Sequence, residues 1–167
     1  MSENDVKKLL AKMAQDTQKR LQDNQISDPV MIGIQTGGVW VAEALHQQLK
    51  IKEDLGKLNI SFYRDDFTRI GMHPTVQPSS LPFAVDDRHI ILVDDVLHTG
   101  RTIRAALNEI FDYGRPASVI LAALVERSGR ELPICADIVG KRIDLSETQH
   151  IKLTGPEPLT LELQEGK

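Results

Sequence analysis

Apolar positions along this chain repeat with two periods that take turns. Val6, Leu9, Leu10, Met13 and Leu21 keep the spacing of one helix face, and Ser2 with Asp5 matches the capping pattern that opens such a helix. "DPVMIGI" (28–34) is short, β-rich and bounded by Pro29 and the pair Gly37 and Gly38, which predicts a buried strand running into a glycine turn. Helical spacing resumes in "VWVAEALHQQL" (39–49), "LNISFY" (58–63) alternates as a strand, and "HIILVD" predicts another. "IRAALNEIFDY" carries an apolar face at Ile103, Ala106, Leu107, Ile110 and Phe111 and stops at Gly114 and Pro116, before the apolar run "ASVILAALV". Helices alternating with strands that are apolar throughout predict an α/β fold whose mainly parallel central sheet is covered by helices on both faces.

Two regions depart from this rhythm. Residues 64–89 hold Gly71, Pro74, Pro78 and Pro82 and exceed the roughly 12 to 15 residues usual for loops, so they are expected to form a lid. Beyond Glu126, "RELPICADIVGKRI" and "HIKLTGPEPLTLEL" are strand-like pieces broken by Pro and Gly, expected to form a small hood over about residues 127–167.

A length of 167 residues suits a single domain with a real core. The net charge of −4 argues against a surface that is one electrostatic trap for nucleic acid. A lone cysteine, Cys135, closes no internal disulfide, "MSENDVKKLLAK" is too charged for a secretory leader, and "VILAALV" is too short to span a bilayer. The expectation is a soluble, cytoplasmic protein without a membrane partner.

The chemistry concentrates in "IILVDDVLHTGRT", Ile90–Thr102. Aliphatics followed by two Asp would suit a nucleotide triphosphatase, but the Gly-x-x-x-x-Gly-Lys loop it needs is missing, and neither "GIQTGG" nor "HTGRT" supplies a dinucleotide fingerprint. A strand ending near Val93 instead carries Asp94 and Asp95 to the carboxyl edge of the sheet, where open α/β sheets bind ligands. "LHTGRT" then adds a glycine, two hydroxyls and a helix start, all suited to an anion. A ribose 5-phosphate reconciles the two, its hydroxyls donating to the carboxylates and its phosphate seated in the turn. The plain alternative is a helix cap with solvated acids.

These residues resemble the phosphoribosyl-pyrophosphate signature of type I phosphoribosyltransferases. With "GIQTGG" after the first strand, "FYRDDFT" after the second and "GRPASVILAALVERSGRELPICADIVGK" near the end, the chain is similar to the bifunctional family of pyrimidine-operon regulators that are also uracil phosphoribosyltransferases. The resemblance implies a type I phosphoribosyltransferase fold with a hood, and conversion of uracil and phosphoribosyl pyrophosphate to UMP and pyrophosphate with Mg²⁺. It implies that Asp94 and Asp95 hold ribose hydroxyls, directly or through Mg²⁺, and that the phosphoribosyl group lies along Val96, Leu97, His98, Thr99, Gly100, Arg101 and Thr102. Thr36, Gly37 and Gly38 would meet the pyrophosphate, joined by Arg64. Arg127, Asp137 and Val139 would stand on the base and hood side. His98 is expected to touch the base rather than act as general base, because glycosyl transfer asks mainly for charge stabilisation.

A homo-oligomer and an operon-leader RNA are the further partners the resemblance implies. RNA-binding relatives carry Arg, His and Arg where this chain has Gly37, Gly129 and Cys135, and lost cationic contacts weaken RNA binding. Two other readings stay open: a nucleotide-sensing regulator of RNA or protein, and a phosphoribosyltransferase for purines.

Overall fold

A computed structural model describes residues 1–60 and 79–166. Helix α1 (Glu3–Asp23) starts as its sequence predicts: the Ser2 hydroxyl accepts from the Asp5 amide and the Asp5 carboxylate accepts from the Ser2 amide. Hydrogen bonds donated to it by the Ser2 hydroxyl and then by the Ser2 amide hold the Asp5 carboxyl below the usual carboxylate range. There follow β1 (Val30–Ile34), α2 (Gly37–Leu49), β2 (Gly56–Leu58), β3 (His89–Leu97), α3 (Arg101–Tyr113), β4 (Ser118–Arg127), β5 (Ile138–Ile143) and a hairpin of β6 (Gln149–Thr154) and β7 (Thr160–Glu165). Five strands form one parallel sheet in the order β2-β1-β3-β4-β5, and β6 pairs antiparallel with β7.

Because strand side chains alternate between faces, the apolar runs divide into two cores. Met31, Ile91, Val93, Ile120, Ala122 and Leu124 meet α1, α2 and the hairpin residues Leu153 and Leu161. Val30, Ile32, Ile90, Leu92, Leu121 and Ala123 meet Ile103, Ala106 and Ile110 of α3. Neighbouring strands β1 and β3 therefore send their following helices to opposite faces of the sheet. The pairing of the two strands ends at Gly33 and Val93, and the helices that follow leave to opposite faces, which makes this the switch point at whose crevice open α/β sheets bind ligands.

Two expected elements take different form. Of the strand predicted over 58–63, only Leu58 belongs to β2, which starts earlier at Gly56, and the Asn59 amide donates to the Ser79 hydroxyl. The rest of that prediction, and Arg64 with most of the expected lid, lie outside the described residues. Ser79 and Ser80 rejoin the sheet edge, where the Lys57 and Ser80 amides and carbonyls bond reciprocally. In the tail, β5 joins the main sheet, so only β6 and β7 stand outside it. No helix among the described residues is long and apolar enough to cross a membrane.

Candidate active site

The two carboxylates stand at the carboxyl end of β3, and each is partly held by its own chain. Asp94 Oδ1 accepts from the Asp95 amide at 2.9 Å, and Asp95 Oδ1 accepts from the Val96 amide at 2.8 Å. Asp94 is 5% exposed while Asp95 opens further toward the crevice. Across the crevice the Gln35–Gly38 turn begins α2, with Thr36 at its cap making no side-chain hydrogen bond. A Cβ at position 38 would lie 2.8 Å from the Val93 carbonyl oxygen, and one at position 37 would fall onto the Asp95 carboxyl group, 2.7 Å from its Cγ. Glycine at both positions is what lets the turn lie against the acidic pair.

Thr99, Gly100, Arg101 and Thr102 form the second wall. Gly100 has φ +96°, a conformation open to glycine but strained for other residues, and α3 starts there without a side-chain cap. The Thr99 hydroxyl accepts from the Arg101 amide, and the Thr99 carbonyl accepts from the amides of Glu131 and Leu132, each at 3.0 Å. The Arg101 guanidinium meets Glu131 at 3.0 Å in an exposed ion pair. The Thr99 hydroxyl thus takes the first amide of α3, and Gly100 adds no side-chain cap to those that follow, a helix start of the kind that suits an anion. The turn lies against the acidic pair, and the cradle follows that pair along the same chain segment.

Beside them lies a cavity of 350 Å³ at the ends of β3, β4 and β5. His98, Arg130, Arg142 and Asp144 line it from exposed positions, and Ile134 is half-buried in its wall. Burial of its ring, with the nearby Arg127 charge adding to it, lowers the pKa of His98 below the ordinary histidine value. Gly129, at φ +107°, packs against this ring: a Cβ there would lie 2.7 Å from His98 Nε2. Arg130 touches the Cys135 sulfur. Arg127 is 6% exposed and spends its guanidinium on three carbonyl oxygens, of Ser128 at 3.1 Å, Gln149 at 2.6 Å and Ser146 at 3.1 Å. It lines the cavity as a clamp between β4 and the hairpin.

Asp137 and Val139 are not brought to this cavity. Asp137 lies at the opposite end of β5, where its carboxylate accepts from the Leu121 amide and from Arg20 of α1. Val139 packs in the sheet beside Ala123, with its carbonyl accepting from Lys12. Sequence reasoning passed over Arg130, Ile134, Arg142 and Asp144; the signal was the change from the apolar "DIVG" to the polar "KRID" within β5, which marks the end that leaves the core.

Among the described residues no three metal-ligating side chains cluster. Asp94 and Asp95 nonetheless fit Mg²⁺, which takes one or two carboxylates and completes its shell with water and substrate oxygens.

A family model described as the phosphoribosyl transferase domain matches residues 3–154. The "Bifunctional protein PyrR" of Nitrosococcus oceani is 65% identical over 158 residues, covering 93% of this chain and 89% of the relative. The "Bifunctional protein PyrR" of Pseudomonas paraeruginosa is 57% identical over 154 residues, covering 92% and 91%. Among solved structures, a Trypanosoma cruzi hypoxanthine phosphoribosyltransferase superposes with a TM-score of 0.67 at 18% identity, covering 87% of this chain and 77% of that one. A Bacillus anthracis hypoxanthine-guanine phosphoribosyltransferase gives 0.66 at 19%, covering 86% and 82%. At those identities the solved structures speak for the fold, and the sequence relatives for the lineage. Taken with the acidic pair and the Gly100 cradle at the switch point, these matches mean that the chain belongs to the phosphoribosyltransferase family and, within it, to the bifunctional PyrR proteins.

Proposed function

We propose that this protein is a uracil phosphoribosyltransferase, making UMP and pyrophosphate from uracil and phosphoribosyl pyrophosphate, and that it also regulates pyrimidine genes. The observation that carries the reading is the Gly37–Gly38 turn packed against Asp94 and Asp95, on the strand that leads into the Gly100 cradle and beside a cavity of a size for a single base.

In this reading Thr99, Gly100, Arg101 and Thr102 hold the 5-phosphate, and the carboxylates of Asp94 and Asp95 accept from the ribose hydroxyls. The amides of the turn at Thr36, Gly37 and Gly38 face the pyrophosphate, where negative charge grows as the glycosidic bond breaks. Mg²⁺, when bound through these carboxylates and the substrate, supplies positive charge to the diphosphate. Arg64 adds a second cation in this assignment. His98, whose lowered pKa keeps the ring neutral near pH 7, offers the base a hydrogen bond but no charge. Arg127 keeps the cavity's shape, and the base rests among Ile134, Arg142 and Asp144.

Pyrophosphate release from phosphoribosyl pyrophosphate with Mg²⁺, measured with uracil, hypoxanthine or guanine, tests the assignment. Release with uracil alone is expected; release with the purines would move the substrate class, and none with any base would favour a nucleotide sensor. The regulatory role is inferred from membership among the bifunctional PyrR proteins and from the cationic Lys7, Lys8, Lys12, Lys19 and Arg20 along α1. Filter binding to a pyrimidine-operon leader RNA across a salt series is expected to weaken steeply with salt, and salt-insensitive or absent binding removes that role. A homo-oligomer is expected, and sedimentation equilibrium checks it.

A further inference from the structure

Asp95 does not stand free in the crevice. Its Oδ1 is occupied by the Val96 amide, and Oδ2 is turned to the opposite wall, against Gly37, so closely that a methyl group there would collide with the carboxyl group. Gly37 is the first residue of α2, no acidic side chain of α2 itself lies in that first turn, and Thr36 does not cap it. The carboxylate of a neighbouring strand thus lies against the side-chain position of the first residue of a helix start, whose partial positive charge favours an anion. Under the proposed function, on which this inference rests, the same turn meets the diphosphate of the substrate. A carboxylate and a diphosphate cannot share that space, for steric reasons and because like charges within about 4 to 6 Å repel.

We propose that in the ligand-free protein the Asp95 carboxylate is a built-in competitor for the diphosphate seat, and that the substrate enters by displacing it. Gly37 is the positioning residue that makes room for either group. Displacement frees Oδ2 from the α2 wall at the moment the ribose arrives, so occupation of the seat and capture of a sugar hydroxyl become one coupled event. The contact lowers affinity for any anion that lacks the sugar, which disfavours unproductive binding of free pyrophosphate.

The test uses the full chain and inorganic pyrophosphate without divalent cation, so that no metal role of Asp95 enters the result. Calorimetry compares wild type with Asp95→Asn, which keeps the side-chain shape and removes the charge, and with Asp144→Asn, which removes an acid of the neighbouring cavity that has no contact with Gly37. Thermal melts confirm that both variants are folded. Asp95→Asn is expected to bind pyrophosphate about tenfold tighter than wild type while losing turnover, and Asp144→Asn to stay within about twofold. Equal or weaker binding by Asp95→Asn, binding by neither protein, or equal tightening by Asp144→Asn overturns the proposal. Uracil-dependent turnover of the wild type is measured separately. Its absence alongside a tightened Asp95→Asn removes the uracil assignment and leaves the displaced carboxylate standing.

Discussion

From Asp94 to Thr102 every polar group of the acidic pair and the cradle comes from nine consecutive residues at the end of one strand. The cavity beside them draws on β3, β4, β5 and the loop after β4, and it is held by an arginine that reaches carbonyl groups up to 22 residues away in sequence. The first region is local chemistry, with carboxylates bonded to their own following amides and a glycine at φ +96°. The second exists only when distant strands are in register. Charge stabilisation is therefore assigned to the local region, and shape to the assembled one.

The largest effects should separate these roles. Asp95→Asn and Arg101→Ala are expected to lower uracil-dependent pyrophosphate release by about a hundredfold or more, with the melting temperature little changed, since Arg101 and Glu131 form only an exposed pair. Arg127→Ala should act on stability instead, costing about 2–4 kcal/mol by urea denaturation, because carbonyls of Gln149, Ser146 and Ser128 lose a buried charged donor. Retention of full stability would mean that the hairpin does not depend on this clamp. Gly100→Ala stands between the two regions: its φ predicts a loss of about 1–2 kcal/mol, and the added methyl would press on Leu132 at 3.2 Å, so turnover falls along with stability.

His98→Ala is expected to lower kcat by less than about tenfold. A loss as deep as that of Asp95→Asn would place acid-base chemistry on the cavity side and break the comparison. The smallest effect is on pH dependence. The folded chain resists protonation of His98, so its contribution to stability is present above the unfolded value near 6.5 and fades as pH falls below it. His98→Gln should flatten this part of the stability profile between about pH 5 and 7, and a profile identical to wild type would show that the ring is freely solvated.

Much of this division could be read from the chain before any fold was known. The capping box at Ser2 and Asp5 and most of the helix faces depend on neighbours within a few residues and appear where the spacing placed them, but Phe111 of the predicted α3 face is 57% exposed, and the strand expected to end near Val93 runs to Leu97. Of the strand predicted from Leu58, Leu58 ends β2 and the Asn59 amide donates to Ser79, 20 residues away, a partner that alternation alone does not reveal. Asp137 and Asp144 are the clearest pair of this kind. Both flank β5, but the parallel register with β4 sends Asp137 to Leu121 and α1 and carries Asp144 past Ile143 to the cavity.

By itself the sequence determined the α/β alternation, the two adjacent carboxylates near the carboxyl end of β3 and the glycine turns that follow the strands, because backbone sterics and periodic burial act over short distances. That β3 runs past Val93 to Leu97 and keeps Asp94 buried was decided by its pairing with β4. Only the tertiary structure decided that Gly37 would meet Asp95, that Arg127 would be a clamp and that Arg142 and Asp144 would line the cavity. Those contacts depend on strand order, register and the face each helix takes, and such long-range pairings are set by the packing of the whole sheet.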